Sequence, residues 1–191
     1  MNGCKRWVKL QRGGRTVHIT EQIRGIGMKF AAAYEQSRDA VYGYLVYMTK
    51  DVSLAEDLSQ EVFLRMFLHR GKFREESSVR TWALHIARNV FLSYAKRKQP
   101  MLLEEQDWEP LPDLNSNQPE EEALKREQAE MVHRCLMCMS EQERTVLLLR
   151  DFQELSYEEI AKIMGLKAEV VKSRIYRARQ KFREIYKRAG E

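Results

Sequence analysis

The stretch whose reading decides the fold is Asp57-Leu58-Ser59-Gln60-Glu61-Val62-Phe63, continuing into Leu64, Arg65 and Met66. Wound as a helix, Asp57, Gln60, Glu61 and Leu64 stand at i, i+3, i+4 and i+7 and share one face. Leu58, Val62 and Met66 fall on the other side, where they can pack inward. The outward face is acidic and amide-rich with one leucine. Such a face suits docking of a basic helix better than it suits catalysis.

The next block, Arg80-Thr81-Trp82-Ala83-Leu84-His85-Ile86-Ala87-Arg88-Asn89, repeats the helical spacing. Trp82, Ile86, Val90 and Tyr94 recur every fourth residue, so Ile86 and Val90 are expected in the core. Trp82 is expected to be partly core and partly a stacking platform. Arg80, His85, Arg88 and Asn89 project from other faces and are contact candidates. Lys96-Arg97-Lys98 extends the basic surface toward phosphates and carries little sequence information. Between the two helices, His69 to Val79 reads as a loop of glycine, serines and cations with one aromatic, Phe73. A loop of that kind can hold an extruded base by stacking and edge hydrogen bonds.

Working toward the N-terminus, Phe30, Ala33, Tyr34, Val41, Leu45 and Met48 predict two helices before a turn at Lys50-Asp51. Ser53 with Glu56 is expected to cap the next helix as a capping box. Residues 1–27 read as a basic extension, with six basic and one acidic residue. Gly13-Gly14 and Gly25-Ile26-Gly27 are expected to interrupt any helix there, and Met28-Lys29-Phe30 opens the helical pattern. Met28 is the expected biological start, with Arg24 to Gly27 encoded by a purine-rich ribosome-binding site read in frame. The alternative is a genuine basic arm that touches DNA.

Working toward the C-terminus, all four prolines (Pro100, Pro110, Pro112 and Pro119) crowd one segment. Proline removes backbone donors and breaks helices, so 99–121 reads as a linker. It is acidic: residues 99–128 carry nine acidic and two basic residues. It divides the chain into modules 28–98 and 122–188, and no internal repeat is seen. Flanking basic blocks, twelve against eight in 28–98 and thirteen against ten in 129–191, point to two nucleic-acid-facing modules.

In the second module Leu124 to Met139 forms one helical pattern. Ser140-Glu141-Gln142-Glu143 is a capping box opening a helix whose apolar face is Val146, Leu147, Leu149 and Phe152. Ser156-Tyr157-Glu158-Glu159 is a second capping box, and Gly165 suits the left-handed turn that ends a short helix. A longer helix follows, with the apolar stripe Val171, Ile175, Ala178, Phe182 and Ile185. Lys172, Tyr176, Arg179 and Arg183 make a separate basic and aromatic stripe. Short helix, glycine turn and basic amphipathic helix predict a helix-turn-helix over about 157–176. Its second helix fits a major groove roughly 12 Å wide. Lys167, Glu169, Val170, Lys172, Ser173 and Arg174 are placed to reach base edges. Arg177, Arg179, Lys181 and Arg183 are placed to meet phosphates.

The fold class is therefore all-α, two small helical domains joined by a Pro-rich acidic linker. The Asp57 and Trp82 blocks together resemble region 2 of the extracytoplasmic-function (ECF) group of sigma-70 family sigma factors. Lys172-Ser173-Arg174-Ile175-Tyr176-Arg177-Ala178-Arg179 closely resembles region 4 of the same family. The resemblance covers about 28–98 and 122–188, in the family's order. It implies that Asp57, Gln60, Glu61 and Leu64 grip a coiled coil of core RNA polymerase. It implies that Phe73, Arg80, Trp82, His85, Arg88 and Asn89 capture single-stranded bases of the −10 element. It implies that the helix-turn-helix reads the duplex −35 element. A cognate anti-sigma factor, often membrane-bound, is implied as a partner, and no metal or nucleotide cofactor. Three positions depart from the family: Ala83 stands for a usual leucine, Ser93 for a usual aspartate, and Glu169-Val170 for a common Gly-Thr pair. The last change leaves open which bases the helix reads.

Two other readings compete. A helix-turn-helix regulator acting without polymerase explains 156–188 but leaves the Asp57 and Trp82 blocks unused. A nucleic-acid-processing enzyme needs clustered carboxylates beside a basic groove, and no catalytic constellation stands out. Cys135-Leu136-Met137-Cys138 with His133 does not converge on a helix as four tetrahedral ligands would, so helix packing is expected there. Three cysteines and no apolar region after the basic start predict a reducing cytoplasm. No apolar run approaches the roughly twenty residues that span a bilayer, so no direct membrane insertion is expected.

Overall fold

The computed structural model describes residues 19–70, 73, 77–97 and 119–189, with side chains in the first helix from residue 30 and in the fourth from residue 127. Helix α1 (Ile19–Thr49), α2 (Val52–His69) and α3 (Val79–Arg97) form the first module. Helix α4 (Pro119–Met137), α5 (Glu141–Leu147), a π-helical turn (Leu148–Phe152), α6 (Tyr157–Met164) and α7 (Ala168–Ala189) form the second. Among the described residues there is no strand, so the all-α expectation holds.

In the first module α1, α2 and α3 pack against one another. Val41, Tyr44, Leu45 and Met48 of α1 repeat at i, i+3, i+4 and i+7 and are buried. They meet Ala55, Leu58, Val62 and Met66 of α2 and Leu84, Ala87, Val90 and Phe91 of α3, all members of one core. Each fully buried large aliphatic contributes about 1.5–3 kcal/mol relative to exposure.

Four local expectations are corrected here. One continuous helix replaces the two predicted before Lys50, and it runs through Gly25 and Gly27. Glycine weakens a helix by only about 1 kcal/mol, which does not force a break. Asp51, not Ser53, caps α2: its carboxylate accepts from the Leu54 amide at 2.9 Å. Lys50 supplies the tight reversal just before it, at φ 62°. In α3 the buried row is Ala83, Leu84, Ala87 and Val90, and Ile86 is only half-buried. The small Ala83 and Ala87 let the helix lie close to its neighbours. Finally, Pro119 opens α4 instead of closing the linker. The first turn of a helix has no use for the missing N–H, so proline suits it. The rest of the predicted linker, residues 99–118, lies outside the described residues, as do residues 1–18.

Both predicted capping boxes of the second module are present. Ser140 and Glu143 bond reciprocally at α5, and Ser156 and Glu159 do so at α6. Gly165 takes φ 66° at the end of α6, a conformation that a side chain would strain. Val171, Ile175 and Ala178 of α7 are buried against α5 and α6.

The apolar face expected on α5 is rearranged. The π turn adds a residue, with the Gln153 amide reaching the Leu148 carbonyl at 3.0 Å. Val146, Leu147, Leu148 and Leu149 are all buried, while Phe152 is rotated outward and is 43% exposed. A helix buried on every side needs partners on every side. Helix α7 covers one side of α5, and α1 of the first module meets α5 and the π turn from another. The buried side chains of both modules consequently form one core.

Candidate nucleic-acid interfaces

Helix α2 presents the predicted docking face. Asp57 and Gln60 are exposed, and Glu61 and Leu64 are half-buried on the same side. Leu58, Val62 and Met66 point inward as predicted. Arg65 Nε donates to Glu61 Oε1 at 2.8 Å, which neutralises part of the acidic face. One turn beyond Leu64, Leu68 is 63% exposed and lengthens the apolar end of the face. The same i+4 spacing in the sequence is the signal that points to it.

Ser78 starts α3. Its hydroxyl accepts from the Thr81 amide at 3.0 Å. Trp82 follows, half-buried, with its ring centroid 5.0 Å from that of Phe73. Phe73 and the helix are thereby joined through a tilted aromatic pair. An open groove beside it is lined by Ser77, Thr81, Trp82 and His85 of this module and Lys162 and Ile163 of α6. His85 lies 3.3 Å from Asn89, ring nitrogen to amide. Desolvation, and then the Arg88 guanidinium, push its imidazole below the usual range. At neutral pH it is therefore an uncharged hydrogen-bonding group and adds no cationic charge.

The two arginines of this set do not face open solvent. Arg80 Nη2 donates to Gln153 Oε1 at 2.6 Å. Arg88 Nε lies 3.6 Å from Glu141 Oε1. Between them Thr81 Oγ1 donates to Glu159 Oε1 at 2.8 Å. All three partners belong to the second module. The spacing of residues in sequence gives no sign of these pairings.

On the second module Lys167, Glu169, Val170, Lys172, Ser173 and Arg177 are exposed around the start of α7. The helix-turn-helix brings them onto one accessible surface. Tyr176, at 65% exposure, stands among them. Its place one turn after Lys172 in the basic stripe signals it. Arg174 is half-buried, and its Nη1 donates to Gln142 Oε1 at 2.6 Å. Arg179 is paired with Asp151, and Lys181 Nζ donates to Glu143 Oε2 at 2.7 Å. These last pairs fasten α7 to α5 and the π turn. To reach DNA, Arg174 and Arg179 must leave these partners. Burial opposes ionisation of Glu143, yet the bonds from Lys181 and Ser140 hold its carboxyl below the usual range.

Elsewhere, His133 and Cys135 are buried in α4 and Cys138 is exposed. The His133 ring packs against Tyr47, and burial with Lys50 and Arg144 nearby lowers its pKa to about 4. Among the described residues no helix is long and apolar enough to cross a membrane.

Comparison with known proteins gives concordant matches for both modules. The Sigma-70 region 2 family matches residues 33–100, and the Sigma-70, region 4 family matches residues 129–182. The RNA polymerase sigma factor YlaC of Bacillus subtilis (strain 168) is 32% identical over 159 residues, 83% of this chain and 92% of the relative. The ECF RNA polymerase sigma factor SigM of the same organism is 32% identical, over 81% of this chain and 93% of its own. Among solved structures, the sigma factor RpoE in complex with the anti-sigma factor NepR from Bartonella quintana superposes with TM-score 0.69. It is 21% identical and covers 83% of this chain and 97% of that one. CnrH in complex with the cytosolic domain of CnrY gives TM-score 0.63 at 18% identity, over 84% and 90% of the two chains.

Proposed function

The chain belongs to the ECF group of the sigma-70 family of RNA polymerase sigma factors, and from that premise we propose how its surfaces divide the work of promoter recognition. It binds core polymerase and directs it to promoters. We assign polymerase docking to the outward face of α2, through Asp57, Gln60, Glu61 and Leu64. Their place on one side of the helix, with Asp57 and Gln60 exposed and Leu58, Val62 and Met66 turned inward, supports the assignment.

The −10 strand goes to Phe73 and α3, with Trp82 as the stacking platform and Arg80, His85, Arg88 and Asn89 around it. The aromatic pair of Phe73 and Trp82 carries this reading. Stacking and edge contacts to extruded bases offset unstacking, which costs a few kcal/mol per step. The −35 duplex goes to the start of α7, through Lys167, Glu169, Val170, Lys172 and Ser173. Arg174, Arg177 and Arg179 stand alongside. The partition into region 2 over 28–98, a linker from 99 to the start of α4 at Pro119, and region 4 after it belongs to the same proposal. In this reading the chain makes and breaks no covalent bond; it supplies binding energy to the polymerase that does.

One protein of the same fold, RpoE, was solved with the anti-sigma factor NepR, and another, CnrH, with the cytosolic domain of CnrY. We propose that this chain also takes a cognate anti-sigma factor, that it works in the bacterial cytoplasm, and that a membrane-bound partner can hold it at the membrane. The deciding experiment is run-off transcription with core polymerase on genomic promoters, starting with the chain's own. Promoter-specific transcripts that require the chain are expected. DNA binding with no transcript at any promoter would instead favour a regulator that acts without polymerase.

A further inference from the structure

The end of α4 carries two thiols, one inside the protein and one at its surface. Cys135 is 1% exposed, and Cys138, one turn later, is exposed. The chain is wound tightly between them. The Cys138 amide reaches the Cys135 carbonyl at 3.2 Å, and the Met139 amide reaches the Leu136 carbonyl at 3.1 Å. Such i→i+3 bonding eclipses the side chains at i and i+3, so both cysteines stand on one edge of the turn. Burial, and then the nearby Cys138, push the Cys135 thiol up, against a smaller pull from Arg134. Cys135 is therefore held as a thiol, and Cys138 is the sulfur that meets solvent first.

We propose that Cys135 and Cys138 are a redox-active dithiol, oxidised by a hydroperoxide to a strained, readily reduced disulfide that distorts the end of α4 and loosens the corner bracing α7. Its effect on promoter use rests on the assignment of α7 to the −35 duplex. The exposed Cys138 thiolate takes the terminal peroxide oxygen as the O–O bond breaks. This gives a sulfenic acid and an alkoxide, which picks up the proton that Cys138 lost. The Cys135 sulfur then displaces hydroxide from the Cys138 sulfur, and the Cys135 proton leaves with it as water. Two thiols give up two electrons, and the peroxide takes them, ending as alcohol and water.

The turn resists this bond enough to keep it reversible. Residues at i and i+3 stand about 5–6 Å apart at Cβ, whereas a disulfide holds them at about 3.5–4.5 Å. Closing that difference strains the turn, and a strained disulfide is the more easily reduced. A bond of that kind is transient and sensing in a reducing cytoplasm. The strain also has a path to α7. Leu136 and Met139, beside the two cysteines, belong to the core. Two residues beyond Cys138, Ser140 forms the capping box with Glu143 that opens α5. Glu143 accepts from Lys181, and Gln142 beside it accepts from Arg174. Both donors lie on α7, so a pull on the turn reaches the bonds that hold this helix.

The test uses the full chain, first reduced, then treated with hydrogen peroxide that is removed before assay. Peptide mapping should find Cys135 joined to Cys138 with two hydrogen atoms lost, and it separates this link from any made by Cys4. The oxidised chain should melt about 2–4 °C below the reduced one. It should also lose most of its run-off transcript with core polymerase from its own promoter. Dithiothreitol should restore both, which distinguishes the disulfide from methionine oxidation. Cys138→Ser, a surface change of nearly equal size, should melt and transcribe as the reduced chain does and keep both properties after peroxide. The proposal is overturned if peroxide leaves Cys138 as a sulfinic acid or in a link between two chains. It is overturned equally if the joined form melts no lower than the reduced one, or if Cys138→Ser loses and regains transcription as wild type does. If the chain gives no transcript in either redox state, the promoter reading of α7 fails, while mapping and melting still decide the pair.

Discussion

Asp57 and Glu61 differ in how free they are, and the difference shapes what their removal should do. Asp57 is exposed, while Glu61 is held by Arg65. An exposed i,i+4 pair contributes only a few tenths of a kcal/mol to folding. Asp57→Ala with Glu61→Ala should therefore leave helicity and melting nearly unchanged. It should still weaken core polymerase binding, by about 2–5 kcal/mol if both carboxylates are desolvated in the complex. Unchanged affinity of the folded double variant for core would remove the docking assignment. Trp82 makes a second residue-scale case. It is half-buried, with its ring tilted 40° against that of Phe73, so a packing role and the proposed recognition role make different predictions. Trp82→Ala should lose transcription on duplex promoters and regain part of it on a pre-melted bubble, where unstacking is already complete. Equal loss on both templates, with a lowered melting temperature, would make Trp82 a packing residue.

Helix α7 separates into free and fastened positions. Lys172 and Ser173 are exposed without a cross-helix bond among the described contacts, whereas Arg174, Arg179 and Lys181 are tied to Gln142, Asp151 and Glu143. Lys172→Ala should change preference among −35 variants, by roughly 1–3 kcal/mol at the base it contacts. Arg183→Ala should weaken all sequences alike and flatten the salt dependence. A panel of −35 duplexes at two salt concentrations distinguishes them, and the reverse pattern would mean that α7 enters the groove differently. The capping boxes set a pH limit on the same module. Burial opposes the ionisation of Glu159, but its bonds from Ser156 and Thr81 and the charge of Arg80 hold its carboxyl below the usual range. Glu143 is lowered in the same direction. For a depressed carboxylate the stabilisation is complete above the ordinary value of 4.5 and fades as pH falls through the folded value. Denaturation midpoints should accordingly hold steady above about 4.5, fall as the pH drops from there through the folded values, and lose no more from these two groups below them. Glu143→Gln with Glu159→Gln keeps a side chain able to complete each capping box and should flatten that acid limb. An unchanged acid limb would mean that other carboxylates control it.

At the scale of the whole molecule the two modules share a core, and α5 with its π turn is the element they share. Leu148 is fully buried there. Leu148→Ala should cost about 2–5 kcal/mol and lower a single calorimetric transition. Two separated transitions in the wild-type chain would show that the modules unfold independently, against a common core. Much of this architecture was legible in the sequence, because it rests on local rules. Helical periodicity gave the all-α class, Ser140, Ser156 and Gly165 marked helix ends by their own backbone chemistry, and the inward row Leu58, Val62 and Met66 follows from 3.6 residues per turn. The same rules misjudged single weak signals, such as glycines inside α1, Ser53 as a cap and Pro119 as a breaker, where a small propensity is outweighed by packing or tolerated at a first turn. The run Val146-Leu147-Leu148-Leu149 is too continuous for a one-sided surface helix, and so contained a hint that α5 is covered from two directions. It could not say by what. The candidate base readers of α7 were legible because they lie on one helix. That Gln153, Glu159 and Glu141 meet Arg80, Thr81 and Arg88 was not. Those partners are far apart in the chain, and no local periodicity encodes which faces of two separate modules will come together. The sequence by itself determined the all-α class, the helix ends set by the Ser140 and Ser156 capping boxes and Gly165, and the inward row of α2, because each follows from local backbone chemistry or helical period. Only the tertiary structure decided that Arg80, Thr81 and Arg88 of α3 meet Gln153, Glu159 and Glu141 of the second module, because contacts between distant elements are set by packing and not by local periodicity.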